Sequence, residues 1–311
     1  MPDIMSYIKR PVKLIRFAKN HHLLDPLPDG LYLKLIFREK MGYPLNLKDP
    51  KTFSEKLQYL KLHDRKFRYT KMVDKAAAKK YVKTRVPELH IIPTFGVWDH
   101  FDDIPFDDLP DQFVLKCTHD SGNVVICRSK AAFDKENAKR MLENALAHNY
   151  YRGGREWPYK NVPRRILAEQ YMEDEESCQN GQLSDYKFYC FHGVPKFLYY
   201  STGMEDHKTA RITFLDMNWN KTPFQRSDYL NHADSELPEK PKEFDELVRI
   251  ASKLSEGIPF LRVDLYVLKD GIYFSELTFS PCSGMMRFEP EIYDKVLGHF
   301  LHVGTEREEE F

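Results

Sequence analysis

Asp264 and Glu276 stand twelve positions apart in a stretch whose pattern brings them together. Each lies in a short apolar run, 260–268 and 272–279, and the turn Lys269-Asp270-Gly271 separates the runs. Alternating apolar residues around an Asp-Gly turn predict a β-hairpin. Asp264 lies six positions before Asp270 and Glu276 five after Gly271, so antiparallel pairing can set both carboxylates side by side on one face. Two carboxylates forced together in a partly buried site repel unless a cation neutralises them. Mg²⁺ held by one or two carboxylates plus substrate phosphates is a common solution. The other reading is a solvated hairpin carrying scattered surface acids.

A second group lies far upstream. An apolar run, 113–115, ends in Lys116; a turn of small and polar residues, 117–123, follows, and a second apolar run, 124–127, returns. Ser121 and Gly122 are small enough to let backbone N–H groups approach an anion, and Lys116 supplies a point charge for phosphate. No Gly-Lys-Ser/Thr opens a helix here, so this is not a Walker motif. An ordinary hairpin turn would use Ser121 and Gly122 in the same way.

The elements that must position these groups are readable along the chain. Helices are expected over 53–62, 70–83, 135–148, 244–254 and 291–301. Extended segments are expected over 91–98, broken at Pro93, and over 166–172, with a hairpin of 185–191 and 194–200 about His192-Gly193. Segment 99–112 reads as an acidic, proline-containing loop, and 150–163 as a long aromatic and basic loop or lid. Residues 6–19 read as a basic amphipathic helix, suited either to an anionic membrane surface or to packing on the body of the protein.

With 311 residues the chain can bury two or three packed units. Its 47 basic and 47 acidic residues cancel, which favours no nucleic-acid partner, and 42% hydrophobic residues point to a globular protein. Five cysteines, at 117, 127, 178, 190 and 282, show no Cys-x-x-Cys spacing and are odd in number, so a reducing cytoplasm is expected rather than a disulfide framework. No apolar run reaches the length of a membrane span, and no signal-peptide core is expected at the N-terminus.

The order of these elements resembles an ATP-grasp enzyme. More closely it resembles the TupA-like ATP-grasp family linked to teichuronopeptide and capsular polysaccharide biosynthesis. The residues carrying the resemblance are Phe53-Ser54-Glu55-Lys56-Leu57-Gln58, Val73-Asp74-Lys75, Arg155-Glu156-Trp157-Pro158-Tyr159-Lys160 and Asp185-Tyr186-Lys187-Phe188-Tyr189. Arg262-Val263-Asp264-Leu265-Tyr266 and Phe279-Ser280-Pro281-Cys282-Ser283-Gly284 complete it, over about residues 30–302. The resemblance implies an α+β fold, two subdomains clasping ATP behind an N-terminal helical and α/β region, with divisions at 1–70, 71–172 and 173–311.

It also implies roles. Lys116 and Lys75 would contact ATP phosphates beneath a covering loop that includes His119, Ser121 and Gly122. Glu169, Gln170, Tyr171 and Met172 would read adenine, and Glu173, Glu175 or Glu176 would hold the ribose. Asp264 and Glu276 would bind Mg²⁺, and Arg262 would stabilise the transferring phosphoryl group. The family's usual third metal ligand is Asn, and Thr278 stands there instead. Lys187 belongs to the nucleotide side, and Arg155, Trp157, Asp185, Ser280 and Ser283 to the substrate side. Each of Lys187, Asp185, His119, His192, Arg155 and Trp157 also has a plain reading as a surface, turn or packing residue. The implied chemistry is ATP-dependent carboxylate–amine ligation through an acyl phosphate, on a uronic acid or an amino-acid carboxylate. A sugar kinase would use the same ATP and Mg²⁺ groups. A glycosyltransferase would typically need an Asp-x-Asp pair, which the chain lacks.

Overall fold

The computed structural model describes residues 11–173, 183–204 and 208–304. The described residues begin with five helices: α1 (Pro11–Asn20), α2 (Asp29–Met41), α3 (Phe53–His63), α4 (Phe67–Val73) and α5 (Ala77–Arg85). Strands β1 (His90–Ile91), β2 (Thr94–Trp98), β3 (Phe113–Cys117) and β4 (Val124–Cys127) follow, then helices α6 (Lys135–Ala147) and α7 (Tyr151–Gly154). Next come β5 (Ile166–Gln170), β6 (Asp185–Phe191), β7 (Val194–Thr202), β8 (Arg211–Asp216), β9 (Gln225–Arg226) and helix α8 (Phe244–Ser255). The hairpin β10 (Phe260–Leu268) and β11 (Gly271–Thr278), then β12 (Phe288–Glu289) and α9 (Ile292–Gly298), complete the described strands and α-helices.

Two sheets dominate this α+β arrangement. The first is four-stranded and antiparallel, in the order β2-β5-β3-β4; the second is six-stranded, in the order β1-β11-β10-β6-β7-β8. In the larger sheet only β1 runs parallel to its neighbour. One of its faces packs Phe188, Leu198, Val263 and Leu265 against Leu247, Ile250 and Leu254 of α8 and Val82 of α5. The opposite face is aromatic at one end, where Tyr189, Phe191, Phe197 and Phe260 meet Phe53 and Leu57 of α3 and Leu297 of α9. The remainder of that face carries charge.

Local chemistry explains the helix boundaries. Thr52 caps α3 through the Glu55 N–H, and the Glu55 carboxylate accepts the N–H groups of Thr52, Lys51 and Asn46 at 2.9–3.1 Å. The helix expected over 70–83 is instead two. The Asp74 carboxylate accepts the N–H groups of Ala76 and Ala77, which recaps the chain after Val73, and the Lys75 N–H bonds the Thr118 carbonyl. Segment 150–163 is not an open lid: it folds into α7 and a 3₁₀ turn at Trp157–Tyr159, with Tyr159 packed on Val73 and Val162. In the basic first helix, Ile15 packs on the α2 cluster while Leu14 and Phe17 stay exposed.

The hairpin holds a detail that decides the site. Leu265 pairs with Phe274, yet Asp264 pairs with Glu276, so Ser275 is an extra residue bulged out of β11. A strict two-residue hairpin register would set Ser275 opposite Asp264 and turn Glu276 to the other face. The bulge is what places the two carboxylates together.

Candidate active site

A row of side chains crosses the charged face of the large sheet. Glu276, Asp264, Lys187 and Tyr199 are successive cross-strand partners on β11, β10, β6 and β7. One step along the strands lie Thr278, Arg262 and Tyr189, again in register. Arg262 grips Asp264 with two parallel bonds, Nε to Oδ1 at 2.7 Å and Nη2 to Oδ2 at 2.6 Å. Lys187 donates to Asp264 Oδ2 at 3.0 Å and pairs with Asp185 at 2.9 Å. Asp264 is wholly buried. Burial alone would raise its carboxyl, but Arg262 and Lys187 outweigh that and hold it below the usual carboxylate range. Glu276 is more open, touching Arg262 only at 3.6 Å.

The small sheet faces this row across a cleft. Glu169 on β5 clamps two lysines, Lys116 of β3 at 2.7 Å and Lys79 of α5 at 2.6 Å. Burial would raise the Glu169 carboxyl, yet the two ammonium groups outweigh it and bring it below the ordinary range. The lysines respond oppositely: burial prevails at Lys79 and lowers it, whereas Glu169 overcomes burial at Lys116 and raises it. Lys79, Lys116, Glu169, Lys187 and Glu276 line one compartment of the cleft. It shares Ile92, Lys116, Gly122, Val124, Glu169 and Tyr266 with a neighbouring compartment of about 570 Å³, walled further by Val114, Ile126, Met172 and Leu183. That volume falls in the range of small-molecule sites, roughly 300–1,000 Å³. One end of the cleft is therefore cationic and the other mostly apolar.

Because Glu169 is ionised and paired in the fold, its contribution is complete above the unfolded-chain value of about 4.3. It is lost as pH falls through the lower folded value. The difference in melting temperature between the wild type and Glu169→Gln is therefore expected to be widest near neutral pH and to close below about pH 4. A gap that does not change with pH, followed by calorimetry, would make Glu169 a packing residue instead.

Several of the residues singled out in the sequence line the cleft. Gln170, Tyr171, Met172 and Asp185 line the larger compartment, while Ser121 and Gly122 line the smaller, Gly122 with φ of +94°. Others are placed differently. Lys75 reaches the smaller compartment, but its ammonium is spent on the carbonyls of Cys117 (2.9 Å) and Asp120. His119 is buried beneath α6, its Nε2 at 3.2 Å from the carbonyls of Ala145 and His148, away from the cleft. Arg155 packs over Tyr32 and donates to the Asp25 carbonyl, and Trp157 packs against Phe67, so both brace the N-terminal helices. Thr278 Oγ1 accepts from Arg262 at 3.0 Å. Ser280 is buried, and Ser283 donates to Glu156 at 2.6 Å. Glu175 and Glu176 lie outside the described residues, and Glu173 is exposed.

Sequence reasoning gave no role to Lys79, Tyr199, Lys61 or Glu156, although Glu156 lies in the 155–160 motif. Lys79 follows Lys75 by four positions at the start of a helix, a spacing that could have raised it as a partner. Asp264 and Glu276 adjoin on one face, an oxygen pair of the kind a hard divalent ion takes, with Glu276 the more open of the two and both Asp264 oxygens bonded to Arg262 and Lys187. Among the described residues no group of three or more His, Cys, Asp or Glu forms a self-sufficient metal cluster, so remaining ligands would come from substrate phosphate and water.

The TupA-like ATP-grasp family model matches residues 55–302, roughly four-fifths of the chain. Curated proteins returned no match. Solved structures with similar chain traces include D-alanine–D-alanine ligase from Bacillus anthracis in complex with ATP, at 16% identity and a TM-score of 0.39, covering 67% of this chain and 55% of that one. N5-carboxyaminoimidazole synthetase from Staphylococcus aureus matches at 11% identity and a TM-score of 0.39, over 67% of this chain and 44% of its own. A RimK domain ATP-grasp protein from Sphaerobacter thermophilus matches at 13% identity and a TM-score of 0.38, over 82% and 72%. The chain thus spans about half the length of the first two.

Proposed function

The chain belongs to the TupA-like ATP-grasp family, and from that premise we propose that it is an ATP- and Mg²⁺-dependent carboxylate–amine ligase. The observation that carries the reading is the cleft itself, where Lys116 and Lys187 from the two sheets and Lys79 from α5 converge on the space in front of Glu276. Adenine would lie in the apolar compartment, against Ile92, Val114, Met172 and Leu183. The triphosphate would run towards the lysines. Glu276, with Asp264 beside it, would hold Mg²⁺, which when bound neutralises phosphate charge. Arg262, fixed by Asp264 and Thr278, keeps its guanidinium beside the γ-phosphate position without reorganising during transfer. Its rigidity supports a positioning and electrostatic role. The substrate carboxylate would become an acyl phosphate there, and an amine would displace the phosphate to give an amide.

The substrate is proposed, by the family's link to surface polymers, to be a uronic acid of a nucleotide sugar or glycan, or an amino-acid carboxylate. Action in the cytoplasm, with the exposed Leu14 and Phe17 of α1 touching an anionic membrane face, belongs to the same proposal.

Nucleotide preference tests the reading first. Mg²⁺-ATP at about a hundred times its dissociation constant is expected to stabilise the protein by roughly 2.7 kcal/mol, whereas UDP-sugars alone give little. Stabilisation by a UDP-sugar with none from Mg²⁺-ATP would favour sugar transfer over ligation.

A further inference from the structure

We propose that Ser283 and Glu156 form a proton relay that takes a proton from the incoming amine, an inference that rests on the ligase reading above. Three observations carry it. Ser283 is partly exposed and donates its hydroxyl to the buried Glu156 carboxylate at 2.6 Å. Cys282, Ser283 and Gly284 all hold left-handed backbone, φ of 51°, 54° and 65°, a run that non-glycine residues avoid at a cost of about 1–3 kcal/mol each. A buried framework holds that turn: Lys61 donates to the Ser283 carbonyl at 2.6 Å, to the Gly154 carbonyl at 2.9 Å and to Gln58 at 3.0 Å, and Gln58 donates to the Gly284 carbonyl at 2.8 Å. Strain kept by so many bonds marks a hydroxyl whose position matters.

The pair also adjoins the reacting groups. The left-handed turn begins four residues after Thr278, the residue that braces Arg262. Tyr189, the cross-strand neighbour of Arg262, donates its hydroxyl to Met286 Sδ at 3.9 Å, two residues beyond the turn. The space is tight, since a Cβ on Gly154 would collide with Ser283 Oγ.

An amine arrives protonated at neutral pH, because an alkylammonium loses its proton only near 10.4. Apart from Glu276, assigned above to the metal, the groups about Arg262 are poorly suited to accept it. Lys187 is a cation, Asp264 is locked in two ion pairs, and the phenols of Tyr189 and Tyr199 are raised by burial. Burial also raises the Glu156 carboxyl, partly opposed by Lys61, which moves it towards the basicity a neutral-pH base needs. In the step, the ammonium gives one proton to Ser283 Oγ while the Ser283 proton passes to Glu156 Oε1. The freed nitrogen lone pair forms the C–N bond, the acyl C–O bond breaks, and its electron pair leaves with phosphate. The amine's second surplus proton departs on that phosphate.

Two small nucleophiles separate this role from a structural one. Ammonium needs a base, whereas hydroxylamine is largely the free base at neutral pH. Wild-type protein is incubated with Mg²⁺-ATP, ammonium chloride or hydroxylamine, and glucuronate, galacturonate or glutamate, and amide and hydroxamate are measured by mass spectrometry. Glu156→Gln is expected to lower the amide-to-hydroxamate ratio about 100-fold, the typical worth of a general base. Ser283→Ala, which leaves the buried carboxylate in place, is expected to shift the ratio in the same direction. Equal loss of both products in both variants, or wild-type hydroxamate without any amide, would overturn the relay and leave the network structural. Absence of hydroxamate from the wild type would instead overturn the ligase reading beneath it.

Discussion

Replacing Glu276 with glutamine is expected to reduce ATP turnover by about 10²–10³-fold, the scale seen when one preorganised charge-stabilising group is removed. The same change should move the melting temperature of the ligand-free protein by no more than about 2 °C. Both halves follow from position. The Glu276 side chain is partly exposed, and its one described ion pair is the long 3.6 Å contact to Arg262, so the fold asks little of its charge. Its carboxylate faces the lysines of the cleft, where the phosphate and its cation would sit. Stopped activity with an intact apo fold, read by coupled ADP release and calorimetry, agrees with this account. Full activity in the variant would remove Glu276 from the metal site, and an unfolded apo variant would make it structural.

Asp264, directly opposite in the sheet, is expected to behave differently. Asp264→Asn leaves the buried Arg262 guanidinium without its bidentate partner and strips Lys187 of one of two carboxylates. Breaking a buried ion pair by neutralising one member costs about 3–5 kcal/mol, because the other charge stays buried. Urea unfolding at constant slope is expected to show a loss of that order. Two neighbouring carboxylates would then differ sharply in stability while both silence catalysis. A stability loss as small as that of Glu276→Gln would mean that Arg262 is solvated more freely than its burial implies.

This division was half legible in the sequence. The Asp-Gly turn and alternating runs announced the hairpin, and the pairing of Asp264 with Glu276 was expected. The reason for it was not, since Ser275 gives no local sign that it will bulge; only the full strand register reveals it. A role for Arg262 was implied by the family resemblance, but its two-pronged grip on the Asp264 carboxylate needed coordinates. Long-range partnerships escaped for the same reason. Lys61 meets Ser283 across 222 positions and Arg155 meets Asp25 across 130, separations that no periodicity encodes. The helix expected over 53–62 gave no sign of which polar residues it buries; Ser54, Glu55, Lys56 and Gln58 are buried, with Ser54, Glu55 and Gln58 capping neighbouring backbone or joining Asp294. Strand β8 went unremarked, and the helix expected over 70–83 was divided by a side-chain cap at Asp74 that helix propensity alone overlooks.

The central claim is transfer of phosphate to a carboxylate, and oxygen labelling tests it most directly. The wild-type enzyme is given Mg²⁺-ATP, an amine and an acid substrate carrying heavy oxygen in its carboxyl group, and the released phosphate is analysed by mass spectrometry. Passage through an acyl phosphate predicts that each phosphate released carries one oxygen from the acid, because the acyl C–O bond breaks when the amine attacks. Unlabelled phosphate, or a stable phosphate ester on a sugar hydroxyl, would contradict it.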